Sequence, residues 1–334
     1  MSKVVVGIDL GGTNIKTALV STEKKVLSKN SRPSNADKGP DAVMDAMAEA
    51  VEDLMKETGT ARADVLACGI GAPGPMNWQT GVVYSPPNLP GWENVPLAQL
   101  MYQRLSIPCF VDNDANVACY GEYWLGAGQG TQSMAVFTLG TGVGGGIVVF
   151  GELLRGIDGT AAELGHLKVQ RDGRRCGCGG LGCLEAYASV TGMVRTAQEH
   201  LDENPDSLLY KQFHDQPDNI TGKDLTDAAN KGDAFACWVH EETATWLGLG
   251  IASLINLQNP ERIVLCGGMI AAGDLLFDPV RRVARENAFP VPAKRCEIVP
   301  AGLGSDSGVI GAAGCAWTRL ESGEDGGADP NSAY

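Results

Sequence analysis

The stretch ELGHLKVQRDGRRCGCGGLGCLEAY, Glu163 to Tyr187, gathers one of the chain's four histidines, three of its ten cysteines and two glutamates among glycines. His166, Cys176, Cys178 and Cys183 supply one imidazole and three thiolates, a full tetrahedral set for a structural Zn²⁺ with no position left open. A disulfide is the competing reading, but three cysteines leave one over. The other seven stand singly in apolar surroundings such as LACGIG and VLCGG, the pattern of buried thiols in a reducing compartment. Glu163 and Glu185 flank the four ligands and remain available to bind something else.

Four other motifs carry chemistry. DLGGT, Asp9 to Thr13, can turn tightly and offer N–H groups and a hydroxyl to an anion, while Asp9 can hold Mg²⁺ through water. An ordinary hairpin turn is the alternative for that motif taken alone. LGTGVGGG, Leu139 to Gly146, is a second such loop, with Thr141 and five glycines where strands normally avoid them. Two glycine loops could clamp a polyphosphate. LCGG, Leu265 to Gly268, ends a strand and suits close approach of a flat ring or ribose, or simply turns a strand into a helix. VDNDAN, Val111 to Asn116, sets Asp112 and Asp114 on a loop where a carboxylate can take a proton from a hydroxyl nucleophile, with Asn113 beside it. Helix N-capping accounts for one of these polar residues but not for all.

The elements that position these motifs follow from periodicity. VVVGIDL, IKTALVS and KKVLSK read as an antiparallel meander, Pro40 to Thr58 as an amphipathic helix, and VLACGIGAPGP as a strand ending in a turn. PCFVDNDANVACYGEYWLG reads as a short strand, a polar loop and the start of a helix. MAVFTLGTGVGGGIVVF resembles GIDLGGTNIKTALV, which predicts a duplicated architecture of two similar lobes facing each other. A long helix over Asp233 to Leu257 follows, then the strands RIVLCGG and CEIVP and a last helix from about Ser307 to Leu320.

Bulk properties narrow the function. A chain of 334 residues accommodates two domains, and its net charge of −14 argues against a grip on phosphate backbones, so nucleic acid is excluded as a partner. The uncharged run Tyr123 to Gly151 is too rich in glycine to span a membrane, and MSKVVVGIDL lacks a signal-peptide pattern, so a cytoplasmic protein is expected. Residues 321–334 are polar, acidic and glycine-rich and read as a disordered tail.

DLGGTNIK, GAPGP at Gly71 to Pro75, NLPGW at Asn88 to Trp92, DNDAN, LGTGVGGG, ELGH, CGCGGLGCLE and LCGG, in this order, resemble the ROK family of sugar kinases, within the actin-like, hexokinase-type ATPase superfamily. The resemblance implies a two-lobed α/β fold of the actin-like, ribonuclease H-like type, each lobe a mixed sheet flanked by helices, with the active site in the cleft between them. It implies a small lobe over residues 1–118, joined by a C-terminal helix at about 306–320, and a large lobe over 119–305 carrying the zinc loop. Carried over residue by residue, it makes Asp114 the catalytic base and gives Gly74, Asn88, Asn113, Glu163, His166 and Glu185 to the sugar. His166 then serves both zinc and sugar, one ring nitrogen for each. Asp9, Gly11, Gly12, Thr13, Asn14, Lys16, Thr141, Gly142, Gly267 and Gly268 fall to the nucleotide. The implied reaction moves the γ-phosphoryl group of ATP, with Mg²⁺, to the 6-hydroxyl of a hexose. Glucose is the first candidate because NLPGW followed by NVPL is similar to glucose-phosphorylating members. N-acetylglucosamine, N-acetylmannosamine, mannose and fructose are alternatives within the class. A ROK-type repressor is disfavoured because no helix-turn-helix or basic DNA-reading helix is present. Family members are commonly homodimers.

Overall fold

The computed structural model describes residues 3–86 and 88–326. Its contacts divide the chain into two units, the first made of Met1–Gly130, Gly146–Ala162 and Gly302–Tyr334, the second of Thr131–Gly145 and Glu163–Ala301.

In the first unit, β1 (Val4–Leu10) pairs antiparallel with β2 (Asn14–Ser21) and β2 with β3 (Val26–Pro33). On its other side β1 pairs parallel with β4 (Val65–Ala72), and β4 with β8 (Cys109–Asn113), giving the order β3-β2-β1-β4-β8. Strands β5 (Met76–Asn77), β6 (Val82–Val83) and β7 (Val95–Pro96) form a small separate sheet. Helix α1 (Pro40–Thr58) starts with proline at its first position and ends on Gly59 in the left-handed region, the sequence-legible boundaries of a helix. Its apolar face, Val43, Met47, Val51 and Leu54, is wholly buried. Helix α2 (Leu97–Leu105) precedes β8.

Helix α3 (Asp114–Trp124) follows β8 with no intervening loop: Asn113 is both the last strand residue and the N-cap. The polar loop expected there is absent because the Asn113 side chain accepts from the amides of Ala115 and Asn116 at 2.9 and 3.4 Å, starting the helix at once. Helix α11 (Ser307–Glu321) then lies against β1, β4 and α3. Glycines make that approach: a Cβ at Gly7 or Gly69 would stand within 2 Å of an α11 carbonyl oxygen. The expected lobe boundary at residue 118 falls inside α3, all of which lies in the first unit. The expected disorder after residue 320 does not hold for the described part of the tail. Glu324 pairs with Arg319, and the Gly326 carbonyl accepts the Cys109 amide at 2.7 Å; the remaining tail residues lie outside the described ones.

The second sheet runs β11-β10-β9-β12-β13, built from β9 (Met134–Leu139), β10 (Val143–Val149), β11 (Glu152–Leu153), β12 (Arg262–Cys266) and β13 (Glu297–Pro300). Each sheet thus has its third, second, first, fourth and fifth strand in that spatial order, as the similarity of the two glycine-loop segments predicts. Strand β10 crosses the division, with Val143–Gly145 in the second unit and Gly146–Val149 in the first. Between the sheet's strands lie α4 (Glu185–Ala188), α5 (Val190–His200), α6 (Leu208–Phe213), α7 (Gly222–Asn230), the 25-residue α8 (Ala234–Gln258), α9 (Asp274–Asn287) and α10 (Pro290–Arg295). Among the described residues no helix is long and apolar enough to cross a membrane.

Candidate functional site

The acids of the first unit separate into two kinds. Asp112 is 3% exposed and fully committed: one carboxylate oxygen accepts the Arg155 Nε at 2.6 Å, and the other accepts the Asn113 amide at 2.9 Å and the Asn116 side-chain amide at 3.0 Å. Asp114, two residues on, opens to solvent at the first position of α3. It nonetheless sits deep among protein atoms, and desolvation raises its pKa against the Ala115 amide and the Asn113 side chain, which lower it. Asp9, at the end of β1, is raised too, first by burial and then by Asp114 nearby, while Lys16 opposes the shift. Lys16 stands opposite Asp9 in the β1–β2 register, its ammonium held on the Ser305 carbonyl at 2.5 Å. Two solvent-reachable carboxylates with elevated pKa values thus stand near the ends of β1 and β8, close enough for the charge of Asp114 to raise Asp9.

The DLGGT loop is closed by the Gly11 amide donating to the Asn14 carbonyl at 2.9 Å. Neither Gly11 nor Gly12 uses a positive φ; space is what demands glycine here, since a Cβ on Gly12 would press on the Asn88 backbone at 3.3 Å. The structure therefore brings Asn88 to this loop, with Gly12, Thr13, Asn14 and Asn88 all exposed. Gly74, with φ +86°, turns the chain after β4 against Pro86.

In the second unit, the LGTG loop is tied to α5: the Val190 amide donates to Gly140 at 2.9 Å and the Thr191 hydroxyl to Thr141 at 2.8 Å. Glu185 accepts the Val143 amide at 2.9 Å, and a Cβ on Gly142 would stand 2.4 Å from the same carboxylate oxygen. The LCGG pair divides its work. Gly267 takes φ +95° with its α-carbon against the Leu139 carbonyl, whereas Gly268 faces open space and lines a cavity of about 450 Å³. That cavity has apolar walls from Val190, Met269 and Leu276 and polar groups from Lys223, Thr226 and His240. That volume, with apolar walls and a few polar groups, is in the range of small-molecule sites. Burial pushes the His240 imidazole down to about 4.

The cysteine loop converges as its spacing predicts. The donor atoms of His166, Cys176, Cys178 and Cys183 all lie within 4.8 Å of one another. The Cys178 and Cys183 sulfurs are 3.7 Å apart, and Cys176 is 3.7 Å from His166 Nδ1. A tetrahedron with metal–sulfur bonds of about 2.3 Å has edges of roughly 3.7 Å, so the set fits zinc. A disulfide needs about 2.05 Å, and none of the ten cysteines forms one. Nδ1 of His166 faces the Cys176 thiol at 3.7 Å while Nε2 looks toward Glu163 at 4.0 Å, so the two ring nitrogens face different groups. Glu185 touches the same cluster, its Oε1 lying 3.4 Å from Cys176.

Three residues in contact with these motifs have no local sequence signal. Arg155 grips Asp112 from 43 positions away. Lys168 donates to the Cys183 sulfur at 2.9 Å, adding a positive charge beside the thiolates. Glu122, fully buried, accepts from the amides of Ala127, Gly302 and Leu303 and the Ser307 hydroxyl, fixing the turn that carries Ser305.

The chain matches the model of the ROK family over residues 5–319. It is 41% identical to the glucokinase of Halalkalibacterium halodurans over 92% of this chain and 92% of that protein. Among solved structures, a ROK family glucokinase from Streptomyces griseus in complex with glucose and AMPPNP matches with TM-score 0.75 and 36% identity, covering 94% of this chain and 99% of that one. The ROK hexokinase from Thermus thermophilus matches with TM-score 0.81 and 33% identity over 96% and 100%.

Proposed function

The chain belongs to the ROK family, and from that premise we propose that it is an ATP-dependent hexose kinase that converts glucose to glucose 6-phosphate. The observation that carries the chemistry is Asp114, an acid reached by solvent, elevated in pKa and pinned in place at the start of α3. Phosphoryl transfer needs little covalent participation from the protein: it needs the nucleophile oriented, its proton taken and the phosphate charge balanced. Asp114 takes the proton from the 6-hydroxyl as the bond to phosphorus forms, while Asn113, Glu163, Glu185 and His166 Nε2 orient the sugar through its other hydroxyls. Gly74 and Asn88 edge the same sugar.

The Gly268 cavity accepts the adenosine of ATP, and the loops at Gly11–Lys16 and Thr141–Gly142 hold its phosphates. Asp9 would hold Mg²⁺, which would supply charge neutralisation to the phosphates. His166, Cys176, Cys178 and Cys183 would hold a structural zinc with no open position, fixing the loop that presents Glu163 and Glu185. A homodimer and a cytoplasmic, thiol-reducing setting belong to the same reading; ten unbridged cysteines support the latter.

A coupled ADP-release assay over glucose, mannose, fructose, N-acetylglucosamine and N-acetylmannosamine tests the proposal. The expected result is sugar-dependent ADP release with the highest kcat/KM for glucose; ADP release indifferent to every sugar contradicts it.

A further inference from the structure

Beyond the residues that face substrate, the first unit contains a buried cationic joint centred on Arg155. Its side chain is 12% exposed and its partner Asp112 is 4% exposed, an ion pair almost wholly out of water. Such a pair adds little to stability compared with well-packed apolar residues, so its presence calls for a reason other than stability.

Connectivity supplies one. Asp112 spends its second oxygen on the Asn113 amide and the Asn116 side chain, the groups at the junction of β8 and α3. The Arg155 guanidinium also lies 4.7 Å above the Trp78 ring, four residues beyond the Gly74 turn. Arg319 approaches that ring at 5.1 Å and donates to the Trp78 carbonyl at 3.0 Å. The segment that carries Arg155 folds back on itself, Ala161 donating to the Arg155 carbonyl at 3.1 Å, and leads directly into Glu163. Gly159 in the same segment lies close to Trp78, where a Cβ would stand 3.0 Å from the ring. Two pieces of chain assigned to the sugar, the one bearing Asn113–Asp114 through Asp112 and the one bearing Gly74 through Trp78, thus meet at one side chain.

We infer that Arg155 is a positioning residue for sugar phosphorylation, acting through Asp112 on the catalytic base and through Trp78 on the sugar-edge turn. Arg155 is not itself among the residues assigned to either substrate. Methionine at this position keeps length and loses both the charge and the planar stacking surface; lysine keeps the charge and reaches Asp112 without the guanidinium plane. The inference rests on the assignment of Asp114 as base.

Its test is steady-state kinetics with glucose and ATP on Arg155→Met, Arg155→Lys and Asp114→Asn, each with its thermal midpoint. A displacement of the base by about 1 Å can lower rate about 100-fold, so Arg155→Met is expected to lose about 10- to 100-fold in kcat. Its KM for glucose rises while its KM for ATP stays within about twofold, and Arg155→Lys recovers part of the kcat. Should Arg155→Met fail to fold, Arg155→Lys decides: a lowered kcat with an unchanged KM for ATP upholds the inference. Wild-type kcat in the folded variants, with only a lowered midpoint, makes the pair structural and overturns it. So does a loss shared equally between the two substrates. Near-wild-type turnover in Asp114→Asn overturns the base assignment itself, whereas a severely impaired Asp114→Asn beside fully active Arg155 variants overturns Arg155 alone.

Discussion

The two five-stranded sheets share one strand order and end in opposite chemistries. In the first, Asp9 is the penultimate residue of β1 and Asp114 directly follows β8, so carboxylates stand where the strands stop. In the second, β9 leads into Gly140–Gly142 and β12 into Gly267–Gly268, so the corresponding ends offer backbone amides and open space. Topology delivers strand ends to a common edge; the residues at those ends set its chemistry, carboxylates on one sheet and glycine backbone on the other. The same division holds for rigidity. The first unit fixes its acids through buried polar joints at Asp112 and Glu122, while the second fixes its glutamates through a cysteine–histidine loop.

Breaking the first edge has the largest expected effect. Asp114→Asn removes the proton acceptor and should lower kcat by about 10³-fold, within the range general-base catalysis supplies. In the wild type the base must be ionised, and its pKa is raised, so kcat should fall as pH drops through a value above the ordinary carboxylate range. A pH profile of kcat reads that limb directly.

Breaking the scaffold of the second edge comes next. Metal analysis of the wild type should return one equivalent of zinc, and Cys183→Ala should lose it and raise the KM for glucose by about tenfold or more. The KM for ATP should move far less, because the Gly268 cavity lies on other elements. Equal weakening of both substrates would erase the distinction drawn between scaffold and nucleotide pocket.

A third effect is specific to the second unit. His240 is neutral in the fold, with its pKa depressed from 6.5 to about 4 by burial. Between those values the unfolded chain binds the additional proton, so stability is full above pH 6.5 and declines as pH falls toward 4. At about 1.4 kcal/mol per pH unit the loss is roughly 3 kcal/mol. Urea unfolding at neutral and acid pH measures it, and His240→Gln should flatten that part of the curve. The smallest effect is expected for Asn113→Ala, which deletes the α3 cap and should cost about 1 kcal/mol in folding stability, with a rise in glucose KM on top.

Much of this arrangement is legible in the sequence because it is local. The meander, α1, α8 and the glycine loops announce themselves by period and by turn residues, and the Cys-x-Cys spacing converges because glycines between the thiols let it. The start of α3 is less legible, since DNDAN reads equally as a polar loop and as a cap, and only the hydrogen bonds of Asn113 decide. Arg155 and Glu122 are not legible at all: their partners lie 43 and up to 185 positions away, and no periodicity marks a contact set by tertiary packing. Glycine is a further lesson. Gly11 and Gly12 suggest a left-handed turn, yet what they supply is room for Asn14 and Asn88.

The account's central claim is that Asp114 acts on the proton and other groups hold the sugar. Calorimetric titration of Asp114→Asn with glucose, alongside its ADP-release rate, tests that most directly. Glucose affinity within a few-fold of wild type with turnover lost is the predicted result. Turnover near the wild-type rate, or sugar binding lost together with activity, would contradict it.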